Sequence, residues 1–206
     1  GVQTCALPIL KESCEFCEKM RSLTEEDFKV SVNISYTALK QINFLERVMS
    51  IVNESNVNPN FIKIEITEDE IIDNIEYTVK ILNKLRKLGF NIALDDFGVG
   101  YSSFNYIKTL PLDTLKIDRS LLISVENDKK TCAIIKTLIN LAHTLGLDVV
   151  CEGVEMKNQL ELLTNIECDK IQGYYISKPL NLNDFYKLIL NFNNIETCFK
   201  EVAVTN

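Results

Sequence analysis

Ile92-Ala93-Leu94-Asp95-Asp96-Phe97-Gly98 decides how this chain is read: an apolar run of buried-strand type ends in two adjacent acids and a glycine. Working outward, the same feature recurs. Asn33 follows Val30-Ser31-Val32, Glu65 ends Phe61-Ile62-Lys63-Ile64, Lys116 ends Thr114-Leu115, and Glu152 ends Val149-Val150-Cys151. Parallel α/β proteins keep their chemistry at strand ends.

Between these runs lie amphipathic segments. Strands are expected over 29–34, 61–66, 91–94, 114–117, 148–151 and 170–175. Helices are expected over 38–53, 71–88, 102–108, 130–145, 158–165 and 182–190, with a further helix from Leu10 to Met20. Strands alternating with helices imply βαβ units and a mostly parallel sheet. An open doubly wound sheet would place its ligand at one switch point. Here nearly every strand end offers a polar group, which favours an α/β fold of the TIM-like (β/α) barrel type. Six strands are visible where a complete barrel has eight, so the barrel is expected to be incomplete, lacking the first one or two strands.

Composition limits the function classes. At 206 residues with 46% hydrophobic and 25% charged residues, the chain can bury one substantial core. A pI near 4.9 and a net charge of -7 argue against binding polymeric nucleic acid through its phosphates. Bound divalent cations would still let clustered carboxylates meet a phosphate substrate. Seven scattered cysteines do not form a disulfide framework, and a cytoplasmic setting fits them best. Cys14 and Cys17 form a lone CxxC without a second pair or nearby histidines, so they read as small apolar residues on a helix. No apolar run reaches the roughly 18 residues that span a bilayer, and no membrane contact by this segment is expected.

Asn33, Glu65, Asp95, Asp96 and Glu152 are hard oxygen donors, suited to Mg²⁺ or Mn²⁺ rather than zinc. The single histidine, His143, reads as a helix residue. Adjacent aspartates on a strand point to opposite faces, so Asp95 and Asp96 can serve one centre only where the strand is ending, and Gly98-Val99-Gly100 is expected to supply that turn. One aspartate could then bridge two ions about 3.5 to 4 Å apart, the spacing used in phosphoester hydrolysis. Taken singly, each acid reads equally well as a helix cap or turn residue. Glu68 reads as an acid at a helix start, and Asp118 with Arg119 as a surface pair. Recurrence on successive units favours the functional reading.

Together these stretches resemble the EAL-domain cyclic di-GMP phosphodiesterases. The resemblance is carried by Ser31-Val32-Asn33-Ile34-Ser35, Ile64-Glu65-Ile66-Thr67-Glu68, Asp95-Asp96-Phe97-Gly98-Val99-Gly100-Tyr101-Ser102-Ser103, Leu115-Lys116-Ile117-Asp118, Cys151-Glu152-Gly153-Val154-Glu155 and Gln172-Gly173-Tyr174-Tyr175, in the family's order. It implies a two-ion Mg²⁺ or Mn²⁺ enzyme that hydrolyses cyclic di-GMP to linear pGpG. By motif position, Asn33, Glu65 and Asp95 would hold one ion, and Asp95, Asp96 and Glu152 the second ion or its water. Lys116 would orient the attacking water or stabilise charge on the phosphate, and Glu152 has the alternative role of general base. Glu68 and the loop from Asp96 to Ser103, with Phe97 and Gly98, would form a movable element coupling substrate and homodimer contact to metal occupancy. Glu155 would steady a neighbouring loop, and Gln172 would lie near the substrate.

The departures carry as much weight. The family's Glu-Ala-Leu strand supplies a ligand glutamate, followed closely by a substrate-binding arginine, and no stretch before Asn33 reads as that segment. Residues 1–9 resemble nothing in the family, 10–190 read as a partial EAL domain, and 191–206 as a C-terminal tail. A site short of one carboxylate implies weakened cation binding and impaired hydrolysis, with a non-catalytic cyclic di-GMP receptor or interaction module as the alternative. The expected outcome is that this chain releases pGpG with Mn²⁺ far more slowly than a form extended by a Glu-Ala-Leu segment. Equal release, followed chromatographically, would overturn the reading.

Overall fold

Short runs of β-branched and aliphatic residues form six strands: β1 Val30–Asn33, β2 Ile62–Thr67, β3 Asn91–Phe97, β4 Thr114–Ile117, β5 Asp148–Cys151 and β6 Lys170–Ile171. In the computed structural model, which describes residues 6–24, 28–68, 71, 74–99, 104–123, 125 and 128–192, these strands lie side by side in chain order. Every pairing is parallel. Each crossover carries helix, as parallel neighbours require. The result is the expected α/β architecture, a six-stranded half-barrel.

The helices are α1 Ala6–Thr24, α2 Tyr36–Leu39, α3 Phe44–Ser55, α4 Ile75–Lys87, α5 Phe104–Thr109, α6 Lys129–Thr144, α7 Lys157–Asn165 and α8 Leu182–Phe192. Leu82, Leu85, Ile135, Ile139 and Leu163 recur at helical spacing and are buried against the sheet. On β2, Ile62, Ile64 and Ile66 share one face while Lys63 and Glu65 share the other, and all five are buried. One strand thus feeds an apolar layer outside and a polar interior inside.

Several boundaries differ from expectation for local reasons. The helix expected over 38–53 is two, because Asn43 takes a left-handed conformation with φ 61°, and Ser35 starts the first of them by accepting from Ala38 N at 3.4 Å. The first helix starts at Ala6 rather than Leu10, since Pro8 is tolerated in a first turn where its absent N–H has no partner to lose. β6 stops at Ile171 because the chain then turns over its neighbour, with Tyr175 N donating to Val154 O at 2.9 Å. Residues 100–103 and 193–206, which include half of the expected loop and most of the expected C-terminal tail, lie outside the described residues.

At the lower end of the sheet two aspartates stand just before strands, Asp113 before β4 and Asp169 before β6. Asp113 accepts from Ile92 N at 2.9 Å and pairs with Arg86 at 2.8 Å; Asp169 accepts from Val149 N and meets His143 Nε2, both at 2.8 Å. His143 is thereby a structural partner at the end opposite the carboxylates. Phe16 of α1 packs on Phe28 at 5.8 Å and on Phe185 of α8 at 5.7 Å, joining the first and last helices. Cys14 and Cys17 are fully buried on α1, and burial pushes their thiols up to about 12 and about 11, so both stay neutral and serve as apolar packing. Among the described residues no helix is long and apolar enough to cross a membrane.

Ile64 lies fully buried at the middle of β2. Ile64→Ala is expected to cost about 2 to 5 kcal/mol of unfolding free energy, read as a lower midpoint in urea at unchanged m.

Candidate active site

Parallel register sets the site. Asn33 is level with Glu65, Thr67 with Asp95, and Lys116 with Val150, so the polar side chains project from the same end of one curled surface. Glu65 and Lys116 are not strand tips. β2 continues to Thr67 and β4 to Ile117, which recesses both side chains to 3% and 4% exposure.

Between β3 and β4 the register slips. Leu94 faces Leu115 and Phe97 faces Ile117, so Asp95 and Asp96 together oppose Lys116. This is a β-bulge, two residues against one. Asp96 makes it by adopting φ 56°, a left-handed conformation that aspartate tolerates better than most residues. The expected turn at Gly98 is present, with φ 104° there and Val99 N donating to Asp96 O at 3.4 Å, and the bulge at Asp96 precedes it. Phe97 resumes the strand and is buried in the core, so it packs rather than faces the site.

Lys116 is the centre of the arrangement. Its Nζ lies 2.7 Å from Glu65 Oε2, 2.8 Å from Asp95 Oδ1 and 2.8 Å from Glu152 Oε1. Three strands and the residue after a fourth converge on one ammonium. Carboxylate oxygens of Asp95, Asp96 and Glu152 also lie within 4.8 Å of one another, and those three residues grade from buried to exposed. Three hard oxygens opening outward could hold a metal ion; no sulfur or imidazole joins them among the described residues.

The remaining candidates lie at or just beyond the ends of the neighbouring strands. Asn33 is exposed at the end of β1, and Glu68 is buried just beyond β2. Gln172 N donates to Cys151 O at 2.9 Å and its carbonyl accepts from Val154 N at 3.0 Å, which ties the end of β6 to the segment after Glu152. Glu155 has an exposed side chain in that segment. Sequence reading placed Asn33, Glu65, Asp95, Asp96, Lys116 and Glu152 at strand ends but missed that one lysine would touch three of the acids. A register drawn between β2, β3 and β4 could have found it, since Glu65, Asp95 and Lys116 all fall on the inward face.

A sequence profile of the EAL domain matches residues 7–179. The chain belongs to the EAL domain family. Over 174 residues it is 35% identical to the cyclic di-GMP phosphodiesterase NbdA of Pseudomonas aeruginosa, a match covering 84% of this chain and 22% of that protein. It is 33% identical over 178 residues to the signaling protein YkoW of Bacillus subtilis, covering 85% and 22% respectively. The chain therefore spans about a fifth of the length of these curated relatives. Among solved structures it resembles the phosphodiesterase PaMucR in its c-di-GMP complex, with TM-score 0.81 and 30% identity over 87% of this chain and 72% of that one. It also resembles the EAL domain of Mycobacterium smegmatis DcpA, with TM-score 0.82 and 33% identity over 89% and 82%.

Electrostatics within this EAL domain follow from burial. For Lys116, burial works against the charge, but the carboxylates of Glu65, Glu152 and Asp95 outweigh it and hold the amine above its ordinary range. Its contribution to stability is therefore fully present at neutral pH and is lost only as the pH rises past the ordinary lysine value. For Glu152, burial pushes the carboxyl up, the Lys116 ammonium pulls it down, and Asp95 pushes it up again; the net shift is upward. A raised carboxyl contributes most below its ordinary 4.5, and that contribution is lost as pH rises through the folded value.

In the cation-free protein the Glu152 carboxyl is expected to titrate above 4.5 by carbon NMR, and Lys116→Met should move it higher still. The same variant leaves three acids uncompensated and is expected to cost about 3 to 5 kcal/mol at pH 7 in denaturant titrations.

Proposed function

We propose that this EAL domain hydrolyses one phosphodiester of cyclic di-GMP to give linear pGpG, with Mg²⁺ or Mn²⁺ as cofactor. The observation that carries the reading is the outward-opening trio Asp95, Asp96 and Glu152, set beside an ammonium that already neutralises part of its charge. Support comes also from family membership and from relatives named as cyclic di-GMP phosphodiesterases.

In this reading Asp95, Asp96 and Glu152 hold one cation, and Asn33, Glu65 and Asp95 hold a second. Bound cations would acidify a water and neutralise charge on the phosphate. Lys116 keeps Glu65, Asp95 and Glu152 at fixed spacing and offers its positive charge to the phosphate oxygens. Alternatively, Glu152 is the base that accepts a proton from the attacking water. Gln172 and Glu155 border the substrate side, and Glu68 with Gly98 and the following loop tunes access.

The receptor alternative rests on the same ammonium, because Lys116 balances buried carboxylates without any cation. The two separate cleanly in the form extended by a Glu-Ala-Leu segment. There, pGpG release should require Mg²⁺ or Mn²⁺ and fall roughly 100-fold in Asp95→Asn. Tight dinucleotide binding in chelator, with no pGpG formed when cation is restored, would establish the receptor instead.

A further inference from the structure

The residues flanking the carboxylates are held apart by a three-residue turn, Arg119–Leu121, which follows β4. On one side it meets the chain just after Asp95-Asp96-Phe97: a Cβ on Gly98 would lie 2.6 Å from Leu121 Cδ1. On the other it meets the chain just after Glu152, where a Cβ on Gly153 would lie 2.2 Å from Arg119 Cβ. The Gly98 side meets a leucine side chain, whereas on the Gly153 side the Arg119 backbone itself is close, so the chain after each of these two strand ends packs against the turn.

A buried amide fastens this spacer. Gln159, on α7, is 8% exposed. Its Oε1 accepts from Glu155 N at 2.8 Å and from Met156 N at 3.1 Å. Its Nε2 reaches back 37 residues and donates to Leu122 O in a long contact of 3.5 Å. The acceptor half is ordinary helix capping, a glutamine at the third helical position bonding back to the helix start. Capping has no use for the donor half. That half joins the end of the spacer to the segment that leaves Glu152.

We propose that Gln159 is a positioning residue for the carboxylate site: through Leu122 it locks the Arg119–Leu121 turn in place as the spacer between Glu152 and the Asp95-Asp96 pair. Cation ligands must keep their mutual distances to act together, and groups that orient ligands are felt nearly as strongly as ligands. The inference takes the carboxylate site as the working site of the proposed phosphodiesterase, but its effect is visible without cation, because Glu152 Oε1 rests 2.8 Å from Lys116 Nζ.

Gln159→Glu separates positioning from capping. It keeps the acceptor oxygen and adds a charge that a helix start favours, yet it turns a second oxygen toward Leu122 O. With helix content unchanged by circular dichroism, the Lys116 ammonium resonance of the cation-free chain should shift and exchange faster, and Mn²⁺ binding by calorimetry should weaken by about tenfold. Leu121→Ala loosens the spacer from the Gly98 side without touching the cap, and should shift the same resonance. An unchanged Lys116 resonance in folded Gln159→Glu, or in Leu121→Ala should the first variant not fold, would reduce Gln159 to a cap and end the proposal. Should this chain, short of one carboxylate, bind no Mn²⁺, the Lys116 resonance alone decides the positioning role, and the cation reading is decided in the extended form.

Discussion

One ammonium in a nearly dry interior organises this domain. Lys116 contacts Glu65, Asp95 and Glu152, residues borne by three other strand units, at 2.7 to 2.8 Å. Without it, carboxylates on adjacent parallel strands would repel across a medium that screens poorly, and bringing those strands level would cost stability. With it, the interior still holds more negative than positive charge. That imbalance is directed toward the opening, where Asp96 and the partly exposed Glu152 stand. The lysine therefore offsets most of this repulsion and leaves a residual field suited to a cation.

Strand register converts this pairing into a site. Parallel strands joined by helices present the same end, and inward positions recur every second residue, so Lys63 and Glu65, Ala93 and Asp95, and Thr114 and Lys116 stack in layers. The outward positions of the same strands, Ile62, Ile64, Ile66, Ile92, Leu94, Leu115 and Ile117, belong to the hydrophobic core. A single alternation thus separates chemistry from packing along each strand.

Much of this was legible in the sequence. β4 and β5 lie where their apolar runs predicted, because Pro111 and Asp113 bound one and Gly146 precedes the other. The positions of Glu65, Asp95, Lys116 and Glu152 were legible for the same reason. What could not be read was non-local. The bulge depends on which residue of β4 faces which of β3, and the triple contact of Lys116 depends on two registers at once. Gln159 passed unnoticed because its informative bond is to a carbonyl 37 residues away. The break between α2 and α3 was local but rests on one asparagine's left-handed backbone, which helical periodicity does not reveal.

The left-handed backbone at Asp96 has a consequence for anyone scanning this domain by mutagenesis. Position 96 carries two demands at once, a φ of 56° and a carboxylate beside Asp95 and Glu152. Alanine removes the acid and also resists the backbone, while glycine accepts the backbone and loosens the unfolded chain. Asparagine visits this conformation as readily as aspartate and differs by the charge alone. Genetic loss of function at this codon therefore speaks to chemistry when asparagine causes it, and to folding and chemistry together for most other replacements.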